Sequence, residues 1–312
     1  MQIHRGYDNL RLVRPVITLG IFDGVHLGHR MLLDRLLIRA AEKGGDSVVI
    51  TFSPHPRMVL EKKSAGLTFL STMEEKCALL EQLNIGHLVI IEFTKEFSRM
   101  QACDFVNEIL VKKIRAEYLI IGYDHHFGWK GEGDYETIRK CTEKLGITVE
   151  QVKGLVSGNL TISSSLVREA LLKGRVEEAG RLLGYGYSLT GTVVEGKKLG
   201  RSLGFPTANI KPYDSHKLIP FRGVYAVEVK AMEKVLPGLL SIGSNPTVNR
   251  DPGLRSIEVY IMNFEDDLYG NEITIVFRKR LRDEIRFESV DKLIEQMEAD
   301  KRSAMRFFKS QL

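Results

Sequence analysis

Two histidines three residues apart, His26 and His29, lie within the segment Gly20-Ile-Phe22-Asp23-Gly24-Val-His26-Leu-Gly28-His29. The segment follows an apolar run and opens an amphipathic stretch, so it reads as a strand turning into a helix. Imidazoles at i and i+3 on a first helical turn share one face. The amide N–H groups of that turn lack partners within the helix, and the dipole end there is positive. Such a place receives the phosphates of a nucleotide. Transfer at an ATP α-phosphate spreads negative charge over equatorial oxygens, so positioning and charge stabilisation carry the catalysis. His26 and His29 supply donors for those oxygens. Gly28 lets the nucleotide approach closely because it has no Cβ. Gly20, Phe22, Asp23 and Gly24 complete the expected phosphate-binding turn. A capped surface turn or a metal pair is the bland alternative, and the glycines after a strand outweigh it.

A second element is Ile162-Ser163-Ser164-Ser165-Leu-Val-Arg168. Serines at a helix start are usually caps. Arg168, one turn in, can grip β- and γ-phosphates and offset the charge of departing pyrophosphate. Two more loops are expected to end strands of the same sheet. Thr51-Phe52-Ser-Pro54-His55-Pro56 is stiffened by its prolines. Gly122-Tyr-Asp124-His125-His126-Phe127-Gly128 carries paired histidines, but no Cys or third spaced ligand accompanies them. An aromatic-lined acceptor pocket is the better reading there, with Asp124 bonding the substrate and Trp129 as wall or packed surface.

The second half holds Gly196-Lys-Lys-Leu-Gly200-Arg201-Ser-Leu-Gly204-Phe205-Pro206-Thr207-Ala-Asn209. Glycine-rich loops let backbone N–H groups face phosphates. Thr207 and Asn209 offer hard oxygens that suit Mg²⁺; a barrel loop with an Asn turn is the alternative. Residues 191–198 nearly spell a P-loop, but Lys198 stands where Ser or Thr must hold the metal, so that reading is rejected. Glu258, in an alternating segment, can take the proton of an attacking hydroxyl.

These residues need a scaffold. Apolar runs at 16–19, 48–52, 88–91 and 118–121 read as strands, with helices at 30–43 and 97–111. A Ser71-x-x-Glu74 capping box opens another helix that ends near Asn84. The alternation predicts an α/β doubly wound parallel sheet whose ligand sits at the carboxyl ends of its strands. Helices follow at 163–173 and 176–183. After Gly184 the texture becomes short alternating segments at 187–194, 223–229, 256–262 and 272–280, which predict an antiparallel β-barrel, closed by a C-terminal helix over 290–308. The expected domains are 1–183 and 184–312.

Size and charge set bounds. The 312 residues suit about two domains. A net charge of +5 fits a handler of anionic small molecules. The basic runs at 112–115 and 278–282 read as solvated faces, and no interleaved basic and aromatic surface marks a nucleic-acid binder. No apolar stretch reaches the roughly 18 residues of a membrane span, and the polar N-terminus carries no signal peptide. Cys77, Cys103 and Cys141 are odd in number and far apart, so neither a disulfide framework nor a zinc site is expected, and the cytoplasm is the natural compartment.

Taken in order, the motifs resemble the prokaryotic bifunctional riboflavin kinase/FMN adenylyltransferase (FAD synthetase) family. The transferase pattern is Phe22–His29, Thr51–Pro56 and Ile162–Arg168. The kinase pattern is Gly200–Asn209, Gly223-Val-Tyr225, Ile242–Val248, Glu258-Val, Asp267–Gly270 and Leu281–Phe287. The resemblance runs from about Val16 to the C-terminus. It implies that the barrel half phosphorylates riboflavin with MgATP to give FMN, with Thr207 and Asn209 on Mg²⁺ and phosphate and Glu258 as base. It implies that the α/β half adenylylates FMN with a second ATP, giving FAD and pyrophosphate. His26 and His29 would stabilise that transition state, Ser163, Ser164, Ser165 and Arg168 would hold phosphates, and Phe52, Pro54, Asp124 and Arg282 would contact flavin. The chain departs from the family where Ser165 replaces Thr, Tyr260 replaces His, and His125-His126 replace Phe and a basic residue. Nucleotidyltransferases for pantetheine phosphate or nicotinamide mononucleotide, and aminoacyl-tRNA synthetases, share His-x-Gly-His but have no place for Phe205–Asn209. A non-enzymatic nucleotide-binding regulator is disfavoured because the phosphate-handling residues are all present.

Overall fold

The computed structural model describes residues 1–61, 66–157, 160–196, 200, 203–244 and 255–310. Residues 197–199, Arg201, Ser202 and the 245–248 part of the kinase pattern lie outside the described residues. The chain forms two compact units, Met1–Ser164 and Ser165–Leu312.

The first unit is a six-stranded sheet with the strands β1 (Gln2–Arg5), β2 (Val16–Leu19), β3 (Ser47–Ser53), β4 (His87–Glu92), β5 (Tyr118–Gly122) and β6 (Thr148–Val152). All pairings are parallel, in the order β1-β4-β3-β2-β5-β6. Alternate residues serve opposite faces. Ile17, Val48, Ile50, Leu119 and Ile121 join one core; Val16, Val49, Leu88, Ile90 and Ile120 join the other. Both faces are covered, which is why these strands read as unbroken apolar runs. The chain runs outward from β2 through β3 to β4, then returns to place β5 on the other side of β2. That reversal opens a crevice at the carboxyl ends of β2 and β5.

Four helical stretches matter for the site. Helix α1 (Leu27–Lys43) follows β2, α2 (Pro56–Leu60) and α3 (Met73–Gln82) follow β3, and α4 (Ala102–Asp104) runs into a π-helix (Phe105–Val111). The expected helix over 97–111 is therefore broken. The Met100 carbonyl accepts from the Trp129 amide (2.9 Å) and the Ala102 amide donates to Glu132 (3.1 Å), so the backbone is paired outside a helix. The capping box is one residue later than the sequence suggests: Thr72 and Glu75 form it, because Ser71 is bonded to Asp23 and Gly24. Strands β1 and β6, at the two edges, had no counterpart in the sequence reading. Helix α4 packs on α5 (Tyr135–Thr142), and Cys103 and Cys141 are joined there in a disulfide, with Cα atoms 5.4 Å apart. This corrects the expectation of no disulfide; thirty-eight residues and no motif separate the pair, and only packing brings them together. A short hairpin, β7 (Val156–Ser157) with β8 (Leu160–Thr161), ends the unit.

Helix α6 starts at Ser164, the last residue of the first unit, and runs to Leu172. In the second unit it is followed by α7 (Val176–Leu183) and a closed antiparallel barrel. The strands are β9 (Ser188–Val194), β10 (Thr207–Pro212), β11 (Gly223–Ala231), β12 (Lys234–Ser244), β13 (Arg255–Ile261) and β14 (Glu272–Arg282), in the order β10-β13-β12-β11-β14-β9. Pairing of β9 with β10 closes it, and a Cβ at Gly191 would run into the Lys211 carbonyl. Helix α7 lies on β14, where the Arg280 amide donates to Glu177 (3.3 Å), and the Phe221 amide donates to the Leu171 carbonyl (2.9 Å). These bonds group α6 and α7 with the barrel, ahead of the sequence boundary at Gly184. Strands β10 and β12 were not foreseen; Pro212, Pro237 and Gly238 disguise them. Helix α8 (Val290–Lys309) packs on β12 and β14. Among the described residues no helix is long and apolar enough to cross a membrane.

Candidate active sites

The turn from β2 into α1 lies at the mouth of the crevice. His26 is the helix N-cap: its Nδ1 accepts from the His29 amide (3.3 Å), and the ring is 5% exposed. A neutral imidazole that accepts at Nδ1 carries its proton on Nε2. The His26 and His29 rings stack at 3.6 Å, and the edge of Phe22 closes on His29 at 5.2 Å. His29 Nδ1 is buried with no protein partner. Burial pushes His29 well below the usual imidazole range, and His26 and Lys76 add to the shift. The His29 ring thus acts as a directional donor and acceptor rather than as a fixed charge. A Cβ at Gly28 would stand 3.2 Å from both His26 Nδ1 and the Ile162 carbonyl, so this glycine also serves close packing.

The turn is strained. Phe22 and Val25 have φ of 50° and 37°, in the left-handed region that non-glycine residues avoid, and Gly24 has φ 79°. It is held by Asp23, whose carboxylate accepts from the Leu70 amide (2.9 and 3.1 Å), the Ser71 amide (3.0 Å) and the Ser71 hydroxyl (3.3 Å). The Gly24 amide donates to Ser71 Oγ (3.0 Å), and Ser164 Oγ donates to the Asp23 carbonyl (2.9 Å). Of the expected phosphate residues, Gly20, Phe22, Asp23, Gly24 and Gly28 therefore build this turn. Ser163 and Ser164 lie at the start of α6, while Ser165 and Arg168 follow on the same helix in the second unit.

Lys76 was missed in the sequence. It is 5% exposed, and its Nζ donates to Thr51 Oγ1 (3.5 Å) at the end of β3. Burial pushes its pKa down to about 8, against the pull of Asp23. A lysine at the buried position one turn before Leu80 on α3 was the available signal, since that stripe should be apolar.

Beside the turn is a cavity of about 650 Å³. Phe52 and Asp124 line it as expected; Pro54 does not, although its neighbour Pro56 does. Trp129, 43% exposed, forms part of the wall. His125 and His126 are also in the lining, and no metal-ligating cluster occurs among the described residues.

In the barrel, Thr207 and Asn209 start β10 rather than sitting in a loop. The antiparallel register sets Asn209 opposite Glu258 and Thr207 opposite Tyr260. Thr207 Oγ1 donates to Glu258 Oε2 (3.4 Å). Gly200 accepts at its carbonyl from the Leu203 and Phe205 amides (3.1 and 2.8 Å), and Gly204 has φ 81° in that turn. Gly196 lies against the Asn209 amide group, where a Cβ would clash. Two cavities meet at Thr207. One, about 290 Å³, includes Glu258, Tyr260, Arg282 and Phe287; the other, about 480 Å³, includes Pro206, Asp267 and Tyr269. Arg282 is not on a solvated face as the run 278–282 suggested. Its guanidinium grips buried Asp300 of α8 with bonds of 2.7–3.1 Å, and Gln296 donates to the same carboxylate (2.9 Å).

Comparison with known proteins decides the family. Residues 11–166 match the FAD synthetase family model and residues 183–308 the riboflavin kinase model. Curated relatives named bifunctional riboflavin kinase/FMN adenylyltransferase include those of Listeria monocytogenes (37% identity, 95% of this chain and 93% of that one) and Escherichia coli K12 (36%, 99% and 98%). The chain belongs to the bifunctional riboflavin kinase/FMN adenylyltransferase family. A crystal structure described as a macrolide-efflux protein from Streptococcus pneumoniae shares the fold, with TM-score 0.89 and 28% identity over 98% of this chain and 99% of that one. The two family models fall on the two sites just described. The histidine turn and the 650 Å³ cavity lie within the FAD synthetase match, and Thr207, Asn209, Glu258 and Arg282 within the riboflavin kinase match.

Proposed function

We propose that the two halves of this bifunctional enzyme run consecutive reactions at the residues named above. Residues 184–312 carry the kinase. Glu258 takes the proton of the ribityl 5′-hydroxyl of riboflavin; that oxygen attacks the γ-phosphate of ATP, giving FMN and ADP. The 290 Å³ cavity beside Glu258 takes the flavin ring, and the 480 Å³ cavity takes the nucleotide. Thr207 and Asn209 offer side-chain oxygens, which fits Mg²⁺, an ion usually held by few protein oxygens together with substrate phosphates. When bound there, Mg²⁺ would offset the charge of the phosphates.

Residues 1–183 carry the adenylyltransferase. The FMN phosphate attacks the α-phosphate of a second ATP, forming FAD and releasing pyrophosphate. His26 and His29 stabilise the charge that develops on the α-phosphate oxygens. Ser163, Ser164, Ser165 and Arg168 hold the departing phosphates, and the aromatic cavity takes the flavin of FMN. The carrying observation is the stacked, capped histidine pair at the topological switch point of a parallel sheet. We infer the cytoplasm as its compartment, where ATP for both reactions is supplied.

The test is a time course of flavin products from riboflavin, ATP and Mg²⁺, separated by chromatography. FMN rising first with FAD following supports both sites. FMN alone would remove the adenylyltransferase reading; no product from riboflavin, with FAD formed from added FMN, would remove the kinase reading.

A further inference from the structure

We propose that Lys76 is a positioning residue of the adenylyltransferase: sealed beneath the histidine turn, its ammonium acts on the transfer step through the His29 ring and Thr51, without touching substrate. The inference rests on the reading of that turn as the place where the α-phosphate reacts.

The placement argues against a packing role. Lys76 shares the inward face of α3 with Leu80 and is 5% exposed. An apolar side chain would fill that place with no desolvation cost, whereas burying an ammonium costs free energy. Its Nζ donates to Thr51 Oγ1 (3.5 Å), and Thr51 Oγ1 donates to the Ile21 carbonyl (3.3 Å). Ile21 lines the 650 Å³ cavity and precedes Phe22, where the strained turn begins. A short chain of bonds thus joins the lysine to the junction of turn and cavity.

The charged and titratable neighbours of Lys76 are Asp23 and His29 in the turn and Cys77 beside it on α3, and β3 offers it Thr51. The Asp23 carboxylate is engaged by the Leu70 and Ser71 amides. Burial holds His29 well below the usual imidazole range, with His26 and Lys76 adding to the shift, so that ring is uncharged at neutral pH. A neutral imidazole keeps one N–H to donate. Attack of the FMN phosphate on ATP brings two anions together, and a neutral ring carries no charge to offset them. The ammonium beneath supplies that charge and polarises the ring, which makes its N–H a better donor to the oxygens that gain charge.

Titration gives the proposal its signature. Burial lowers Lys76 to about 8, so the ammonium is present below that pH and lost as pH rises through it. Burial pushes Cys77 up and His29 down, so neither changes charge in the same window.

The experiment follows FAD formation by the full-length enzyme from FMN, ATP and Mg²⁺ across neutral and alkaline pH. In wild type, kcat/KM for ATP, which reports the enzyme before ATP binds, should fall as pH rises through about 8. Lys76→Met should lower it about 30-fold at pH 7, the size expected of one charge felt through a few ångströms of protein, and should flatten the alkaline limb. Lys76→Gln keeps a donor for Thr51 without the charge and should match K76M. FMN formation from riboflavin, the folding control, should be unchanged in both. A full rate in K76M, or a limb near pH 8 that persists in it, would overturn the proposal. So would a wild-type rate in K76Q, which would assign the role to the hydrogen bond alone. A K76M protein that loses stability and rate together would make Lys76 a packing element and overturn it too. His29→Ala separates this from the underlying reading. Normal FAD formation in H29A would mean that the turn is not the site, whereas loss in H29A with a normal K76M would remove only the role of Lys76.

Discussion

In the α/β unit, the histidine turn is fixed by backbone and buried side chains: a histidine that caps its own helix, an aspartate that accepts three bonds from Leu70 and Ser71, and a lysine sealed beneath. In the barrel, Thr207, Asn209 and Glu258 are fixed by strand register, which sets β10 against β13. The first arrangement stores strain at Phe22 and Val25 and needs a network to hold it. The second uses relaxed strands, where alternation alone puts Thr207 and Asn209 on one face. A loop arrangement therefore spreads its dependence over many residues, whereas a strand arrangement concentrates it in the few that register sets side by side.

The largest effects should come from those few. Glu258→Gln keeps shape and removes the base, so FMN formation should fall by about 10²–10⁴, while FAD formation from supplied FMN continues. Full kinase rate in E258Q would remove Glu258 from the chemistry. His29→Ala should do the reverse. FAD formation should fall by about 10²–10³, the range for removing one preorganised donor, with FMN formation retained. Both are read in one chromatographic assay, and a variant that lowers the two activities together would break the comparison.

Arg282→Ala comes next. It leaves the Asp300 carboxylate, 7% exposed, without its guanidinium partner in the barrel. Breaking such a buried pair costs about 3–5 kcal/mol. Denaturant unfolding should show that loss, and the KM for riboflavin should rise. Arg282→Lys keeps the charge without the two-pronged geometry and should lie between. A barrel as stable as wild type in R282A would show that register alone holds this site.

Most of the first site was legible because its residues are local. His26 and His29 sit within one helical turn, and the strand before them is an unbroken apolar run. The barrel residues were legible as a motif, but their geometry was not. Thr207 and Asn209 read as a loop because Gly200, Gly204 and Pro206 surround them, and only pairing with β13 makes them a strand. Lys76, Ser71 and the Cys103–Cys141 bond were hidden for a related reason. Each acts through a partner more than twenty residues away in sequence, and no periodicity records such a partner.

Lys76 gives a pH test of the loop site. Its pKa is about 8 in the folded protein against 10.5 as the ordinary value. Between those values the unfolded chain holds a proton that the folded one has released, so stability rises with pH through that window. Below about pH 8 both states are protonated and the cost of the buried ammonium is at its full value. Lys76→Met should therefore be stabilised relative to wild type at pH 7, and the difference should shrink as pH rises towards 10. Unfolding midpoints of the two proteins across that range check it. A constant difference would mean that Lys76 is paired as a full charge.

Ser71→Ala is the mildest of the set and the most direct probe of the contrast. The hydroxyl accepts from the Gly24 amide and donates to Asp23, so its loss leaves a buried N–H unpaired inside the strained turn. That should cost about 1–3 kcal/mol of stability. If strain at Phe22 and Val25 is held by this network, the turn relaxes and His26 and His29 lose their alignment. FAD formation should then drop about tenfold, far less than in H29A, with no contact to substrate removed. FMN formation should be unaffected, because β10 and β13 pair without it. A loss of stability with full adenylyltransferase activity would show that the capped, stacked histidines hold their geometry alone, and that the loop site is as self-sufficient as the strand site.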